Sequence, residues 1–342
     1  MMTMMMMVLM ACAAIAAGKL QIGKITDVVM LLRRDNKKFS DSQKLAPMLD
    51  VITFNARQIL KWKSPTLHLF VHKSDKEKII DALSPADPAV IDKYIKFVSI
   101  NKAMMSPPLV YFRSIYNHSS VNEFEYERSC FERWVIFQHY FASSGVWTNR
   151  AAADLIFFID GDVALFEDPN TIIHNVVQSQ AKYDDVTAVE FFHIGWGSAN
   201  ALTHMALQRF ASMIVSLYTN TNGERFQSFL EKYGESSYHH LNVSWHVSDM
   251  YMQIYFADKC KQEKTFFSLS HQIGLVLYGG DGKKVCFVAE SLRGDTDPQN
   301  IDFKSKPPLL TKGPSIKGDE RIPACLIHFA GDSKKYAHAL IA

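Results

Sequence analysis

The chain has 342 residues, with 37 basic and 35 acidic side chains and a formal net charge of +2. Such a balance, with no basic block and no interleaving of basic and aromatic residues, excludes a nucleic-acid partner recognised by charge. No heptad, collagen or solenoid period is present, and the length suits one large α/β domain with a substantial core.

Met1 to Ala17 is apolar apart from Thr3 and ends in small residues ahead of Gly18 and Lys19. This pattern predicts a secretory signal peptide or short signal anchor over residues 1–18, leaving 19–342 as a single domain. The stretch falls short of the roughly 20 apolar residues a spanning helix needs. The other reading is an alternative start or a disordered leader. Asn117-His118-Ser119 and Asn242-Val243-Ser244 are N-glycosylation sequons, which agree with residence in the Golgi or ER lumen, with membrane anchoring through the leader as an option. Beyond the leader stand Cys130, Cys260, Cys286 and Cys325. Their even number permits disulfides, and their spacing is not that of a zinc site.

In chain order, Ile25–Leu32 predicts a first buried strand. Leu49, Ile52, Ala56, Ile59 and Leu60 recur at helical spacing over 45–62. A second strand spans Thr66–Val71. It is followed by a helix over 76–83, for which Ser74 or Asp75 is the expected cap. A third strand covers 94–100. The β-α-β-α-β order predicts a parallel sheet with right-handed crossovers. Residues 101–121 read as loop, and Glu123–Phe141 as a long helix with an apolar face of Phe131, Trp134, Val135 and Phe141. Further strands are expected at 155–159, 186–192 and 324–329, and helices from Asp168, over 201–218 and over 248–257. From Gly279 onward the abundance of Gly, Pro and Asp reads as turns.

The most informative segment is Leu155-Ile156-Phe157-Phe158-Ile159-Asp160-Gly161-Asp162. An all-apolar run predicts a strand buried on both faces. Two carboxylates at its end repel one another and resist desolvation unless a cation joins them. Ligands of open α/β sheets bind at the carboxyl ends of the strands. A hard cation there, Mn²⁺ or Mg²⁺, would bridge the carboxylates to a phosphate. A second segment, His328-Phe329-Ala330-Gly331-Asp332-Ser333-Lys334, follows another apolar run. It offers a nitrogen ligand, a glycine that admits close backbone approach and a lysine that neutralises phosphate.

Asp-x-Asp after a buried strand, paired with a late His-x-x-Gly-x-x-Lys, resembles the glycogenin-like and lipopolysaccharide galactosyltransferase-like glycosyltransferases of the GT-A fold. Thr66–Asp75 also resembles that family's second strand. Phe192-His193-Ile194-Gly195 falls where the family has Phe-Asn-x-Gly. The resemblance implies a Rossmann-like nucleotide-diphospho-sugar transferase fold and a metal-dependent transfer of a sugar, from a UDP-sugar most of all, to a glycan or protein acceptor. It implies that Asp160, Asp162 and His328 hold the metal and that Gly331 and Lys334 contact the diphosphate. Arg128 or Arg133 would hold the nucleotide. Asp249 or Glu190 would serve as a catalytic base if the enzyme inverts. Two departures stand out: His193 replaces the family's Asn, and Met250 replaces the Gln after Asp249.

Each residue also has a plainer reading. Arg128 and Arg133 are ordinary helix residues taken singly, Asp249 is equally an N-cap, and a lone His328 would be a core histidine. Two rival functions use the same features. A haloacid-dehalogenase-like phosphatase also carries Asp-x-Asp after a buried strand, but it wants Thr or Val where this chain has Ala164. A catalytically inactive, secreted glycan-binding protein on a transferase fold is the other.

Overall fold

The computed structural model describes residues 22–32, 42–179, 188–195, 198–221, 223–233, 247–268, 275–278, 284–289, 297–312, 316–329 and 336–337. The leader, the Asn242 sequon, the 279–282 turn, Gly331 and Lys334 lie outside the described residues.

The strands are β1 Ile25–Leu31, β2 Thr66–Val71, β3 Ile95–Ser99, β4 Leu155–Ile159, β5 Val163–Leu165, β6 Phe191–Gly195, β7 Ala199–Thr203, β8 Phe266–Ser268, β9 Leu275–Tyr278, β10 Lys284–Ala289, β11 Ile301–Asp302, β12 Leu309–Leu310 and β13 Ile322–His328. The helices are α1 Ser42–Trp62, α2 Lys73–Leu83, α3 Pro88–Tyr94, α4 Ile100–Ala103, α5 Pro107–Ile115, α6 Phe124–Ser143, α7 Pro169–Ser179, α8 His204–Thr219, α9 Glu224–Tyr233 and α10 Asp249–Gln262. The α/β class with a mostly parallel central sheet holds. Seven strands run in the order β3-β2-β1-β4-β7-β6-β8. All pairings are parallel except the two made by β7. Among the described residues no helix is long and apolar enough to cross a membrane.

Alternation along β4 shows how the sheet is covered on both sides. Leu155, Phe157 and Ile159 pack into one core with α1, α2 and α3. Ile156 and Phe158 point the other way, into a core built by α6, α8 and α10. This is why β4 reads as an unbroken apolar run: a strand with helices on both faces has no solvent side. Two polar groups are tolerated deep in the sheet because they satisfy each other. Asp27 Oδ1 lies 2.8 Å from His68 Nε2, and the other ring nitrogen of His68 is 3.0 Å from the Tyr140 hydroxyl.

Five expectations are corrected. The strand expected at 186–192 is β6, a few residues later, and residues 199–203 form β7 rather than the start of a helix. All five β7 residues are buried beside β4. The small side chains of Ala199, Asn200 and Ala201 fit helical and extended periods equally well, so the neighbouring strand decides. Residues 101–121 contain two helices. Pro107 and Pro108 open α5 in its first turn, where the missing N–H of proline costs no hydrogen bond. Helix α2 starts at Lys73 with His72 at the N-cap. Neither Ser74 nor Asp75 caps it, and Asp75 is buried inside the first turn. Finally, the Gly- and Pro-rich end builds a second sheet, β11-β12-β13-β10-β9, with β5 paired to β13. Cys286 of β10 and Cys325 of β13 form a disulfide across it, while Cys130 and Cys260 are free thiols.

Candidate metal centre at the carboxyl edge of the central sheet

The Asp160-Gly161-Asp162 bend is the junction of the two sheets. β4 ends at Ile159 in the first, and β5 begins at Val163 in the second, where Val163 faces His328 of β13. Backbone bonds pin the bend at both ends. Asp160 N–H donates to Ser198 C=O (2.9 Å), Val163 N–H to Asp160 C=O (3.0 Å) and Phe329 N–H to Asp162 C=O (2.9 Å). A Cβ on Gly161 would stand 2.9 Å from Met48 Cε of α1, the far end of a flexible side chain that would have to shift.

Strand β5 is short, and α1 holds its free edge. Asn55 is buried, donates through Nδ2 to Val163 C=O (2.7 Å) and accepts from Leu165 N–H through Oδ1 (2.8 Å). The side-chain amide thus acts as one more rung of the ladder, and it fixes the backbone next to Asp162.

The register then brings together residues far apart in sequence. Asp160, Asp162 and His328 each present a ligand atom, all within 4.8 Å of one another. His328 Nε2 lies 3.3 Å from Asp162 Oδ1. The three side chains are only partly exposed, 36 % for Asp160, 14 % for Asp162 and 17 % for His328, so each remains reachable from solvent. Two carboxylates and one imidazole suit a hard or borderline divalent cation, and three protein ligands leave coordination positions open for phosphate oxygens. The donor set therefore fits Mn²⁺ or Mg²⁺. Burial, reinforced by Asp162 nearby, pushes the Asp160 carboxyl up to about 6, against the pull of the Arg133 guanidinium.

Arg133 of α6 spans Asp160 and Asp249. Its Nε donates to Asp249 Oδ2 at 3.2 Å, and the Nε1 of the adjacent Trp134 donates to the same oxygen at 3.0 Å. Gln253, one turn along α10, adds Nε2 at 3.5 Å and is itself held by Asn200 Nδ2 at 3.1 Å. Asp249 is 3 % exposed and faces Glu127 and Cys130, with one ligand atom of each within 4.8 Å. Burial pushes the Glu127 carboxyl up to about 7, and the Asp249 charge adds to this. Hydrogen bonds from Asn122 (2.7 Å) and Ser120 (3.0 Å) act in the opposite direction.

Asp160, Asp162, His328, Arg133 and Asp249 thus gather at one edge. Arg128 does not join them: five residues from Arg133 on α6, it pairs with Glu125 and Glu132. Glu190 lies at the opposite edge of the sheet. Its C=O accepts from Thr203 N–H, level with Leu155 at the start of β4, and its carboxylate is held by Arg209 at 2.7 Å. A strand the length of β4 puts it about 16 Å from Asp160. Sequence reasoning missed Gln253, Trp134, Asn55 and Glu127. Gln253 carried a legible signal, since it stands four residues from Asp249 on the same face of one helix. Trp134 was read as core alone, and Asn55 and Glu127 gain their roles only from partners distant in sequence.

No protein-family model matches the chain, and no curated protein matches it. Among solved structures, the apo form of mouse xyloside xylosyltransferase 1 aligns with 72 % of this chain and 85 % of its own, at 10 % identity and a TM-score of 0.38. The functional reading below rests on the geometry of the site.

Proposed function

We propose that the protein is a metal-dependent glycosyltransferase that takes its sugar from a nucleotide-diphospho-sugar. The observation that carries the reading is the convergence of Asp160 and Asp162 with His328, from opposite halves of the chain, at the carboxyl edge of a mostly parallel sheet. Asp160, Asp162 and His328 would hold Mn²⁺ or Mg²⁺. When bound, that ion supplies Lewis-acid stabilisation of charge on a departing diphosphate. The chain's part is positioning and electrostatics: Asp160, Asp162 and His328 would fix where the ion sits, and Gly331 and Lys334 would supply donors to the diphosphate. As the bond to the diphosphate breaks, the anomeric carbon would become oxocarbenium-like, an acceptor hydroxyl would attack it, and the hydroxyl proton would pass to the departing diphosphate oxygen. UDP is the proposed nucleotide, and a glycan or glycoprotein the proposed acceptor, in the lumen of the secretory pathway. Against the phosphatase alternative stand Ala164, where that family wants Thr or Val, and the place of the motif after β4 rather than after the first strand.

The test is a screen of the purified protein against UDP- and GDP-sugars with Mn²⁺, reading nucleotide release. Turnover that vanishes in excess EDTA and in Asp162→Ala, with the variant folded, is the expected result. Full activity in EDTA or an unaffected variant would overturn the reading, and release of phosphate from simple monoesters would favour the phosphatase.

A further inference from the structure

We propose that Asp249 is a positioning residue rather than a base: it holds the Arg133 guanidinium, which would otherwise compete with the divalent cation for Asp160. The inference rests on the metal reading above and deepens it.

The crowding of one atom comes first. Asp249 Oδ2 accepts from Arg133, from Trp134 Nε1 at 3.0 Å and, more weakly, from Gln253 Nε2 at 3.5 Å. A carboxylate oxygen offers about two lone pairs. These are consumed at Oδ2, so that oxygen is committed to holding Arg133. The side chain is also only 4 % exposed, which keeps an acceptor away.

The charges define the role instead. One guanidinium bridges two carboxylates, Asp160 and Asp249, and Asp160 is also a member of the metal-ligand set. A cation arriving at Asp160, Asp162 and His328 meets Arg133 as a like charge beside it. Asp249 gives the guanidinium another carboxylate to rest on, so Asp160 can turn to the metal without stranding a buried positive charge. Trp134, Gln253 and Asn200 keep Asp249 in place for this. Glu127 and Cys130 also face Asp249, and neither is substituted in the comparison below.

The experiment is a titration of purified protein with Mn²⁺ alone, no nucleotide present, by calorimetry or by loss of the free-ion paramagnetic signal. Asp249→Asn keeps the shape and an oxygen for Trp134 and Arg133 but removes the charge, so Asp160 becomes the one carboxylate beside Arg133 among the described residues. It should weaken Mn²⁺ binding about tenfold, although no ligand is removed. Arg133→Gln removes the competitor and should tighten binding by about tenfold. Both sizes are modest for one unit charge a few ångströms from the ion at an effective dielectric of about 20. The double variant should match Arg133→Gln, because Asp249 acts through Arg133. Asp162→Ala is the control for the metal reading itself. If it binds Mn²⁺ like wild type, the metal reading fails. If it loses binding while Asp249→Asn binds like wild type, the positioning role is overturned and the metal reading stands. A double variant well below Arg133→Gln would also overturn it, since Asp249 would then act on the ion directly. Should Arg133→Gln not fold, the Asp249→Asn titration decides alone by the same criterion.

Discussion

At the scale of single residues, the chemistry lies in how buried charges are shared. Glu127 is the most testable case. Its carboxyl is pushed to about 7 from an ordinary 4.5, mainly by burial. The folded value is raised above the unfolded one, so this side chain's contribution to stability is fully present below about pH 4.5. It is lost as pH rises through about 7. The span corresponds to about 3 kcal/mol, at about 1.4 kcal/mol per unit. Glu127→Gln keeps an oxygen for Ser120 and Asn122 and removes the titration. Urea denaturation should find the variant gaining on wild type steadily from about pH 5 to about pH 8. A gap that does not change with pH would mean that Glu127 is not protonated in the fold.

At the scale of elements, the bend between β4 and β5 works because one helix holds its far side. Asn55 on α1 satisfies two buried backbone groups of β5. Asn55→Ala leaves both unpaired and should cost about 2–5 kcal/mol, read as a lower midpoint in urea. It should also loosen Mn²⁺ binding, because Asp162 immediately precedes the freed strand. Loss of stability with unchanged metal affinity would show that β13 alone positions the bend. The element boundaries explain why this was illegible beforehand. A three-residue strand has no periodicity to read, and a buried Asn on an amphipathic helix looks like an ordinary interruption of its apolar face.

At the scale of the whole molecule, two sheets meet at the site and a covalent link braces the second. Cys286 and Cys325 close a loop of 39 residues between neighbouring strands. Chain-entropy reasoning gives such a link about 4 kcal/mol. Replacing both cysteines by serine should lower the melting temperature, and a reducing agent should lower that of wild type but not of the variant. Equal melting temperatures with and without reductant would show that the bond does not form. A structural disulfide belongs to an oxidising compartment, which favours the secretory proposal. Asn117 is exposed and open to modification. Expressed in a eukaryotic cell, the protein should shift down on deglycosylation, and Asn117→Gln should remove part or all of that shift. A cytosolic protein with no shift at all would overturn the placement.

The sequence by itself determined the elements whose period is long and whose faces are all apolar. β1, β2 and β4 were legible because a strand between two helix layers must be apolar throughout, and α6 because it buries a full stripe. It also placed Asp160 and Asp162 at a strand end and singled out His328. Only the tertiary structure decided that these three meet, because the pairing of β5 with β13 is a long-range choice of register that no local pattern encodes. The same holds for the two arginines on α6. They are alike in sequence, yet a five-residue step turns Arg128 to its own helix's glutamates and Arg133 to the site. It holds for the two candidate bases as well: Glu190 falls at the far end of a strand from Asp160, and Asp249 is buried with one oxygen shared by Arg133, Trp134 and Gln253. Which partner a buried charge finds depends on what packs opposite it, and that is fixed only when the sheets and helices close on one another.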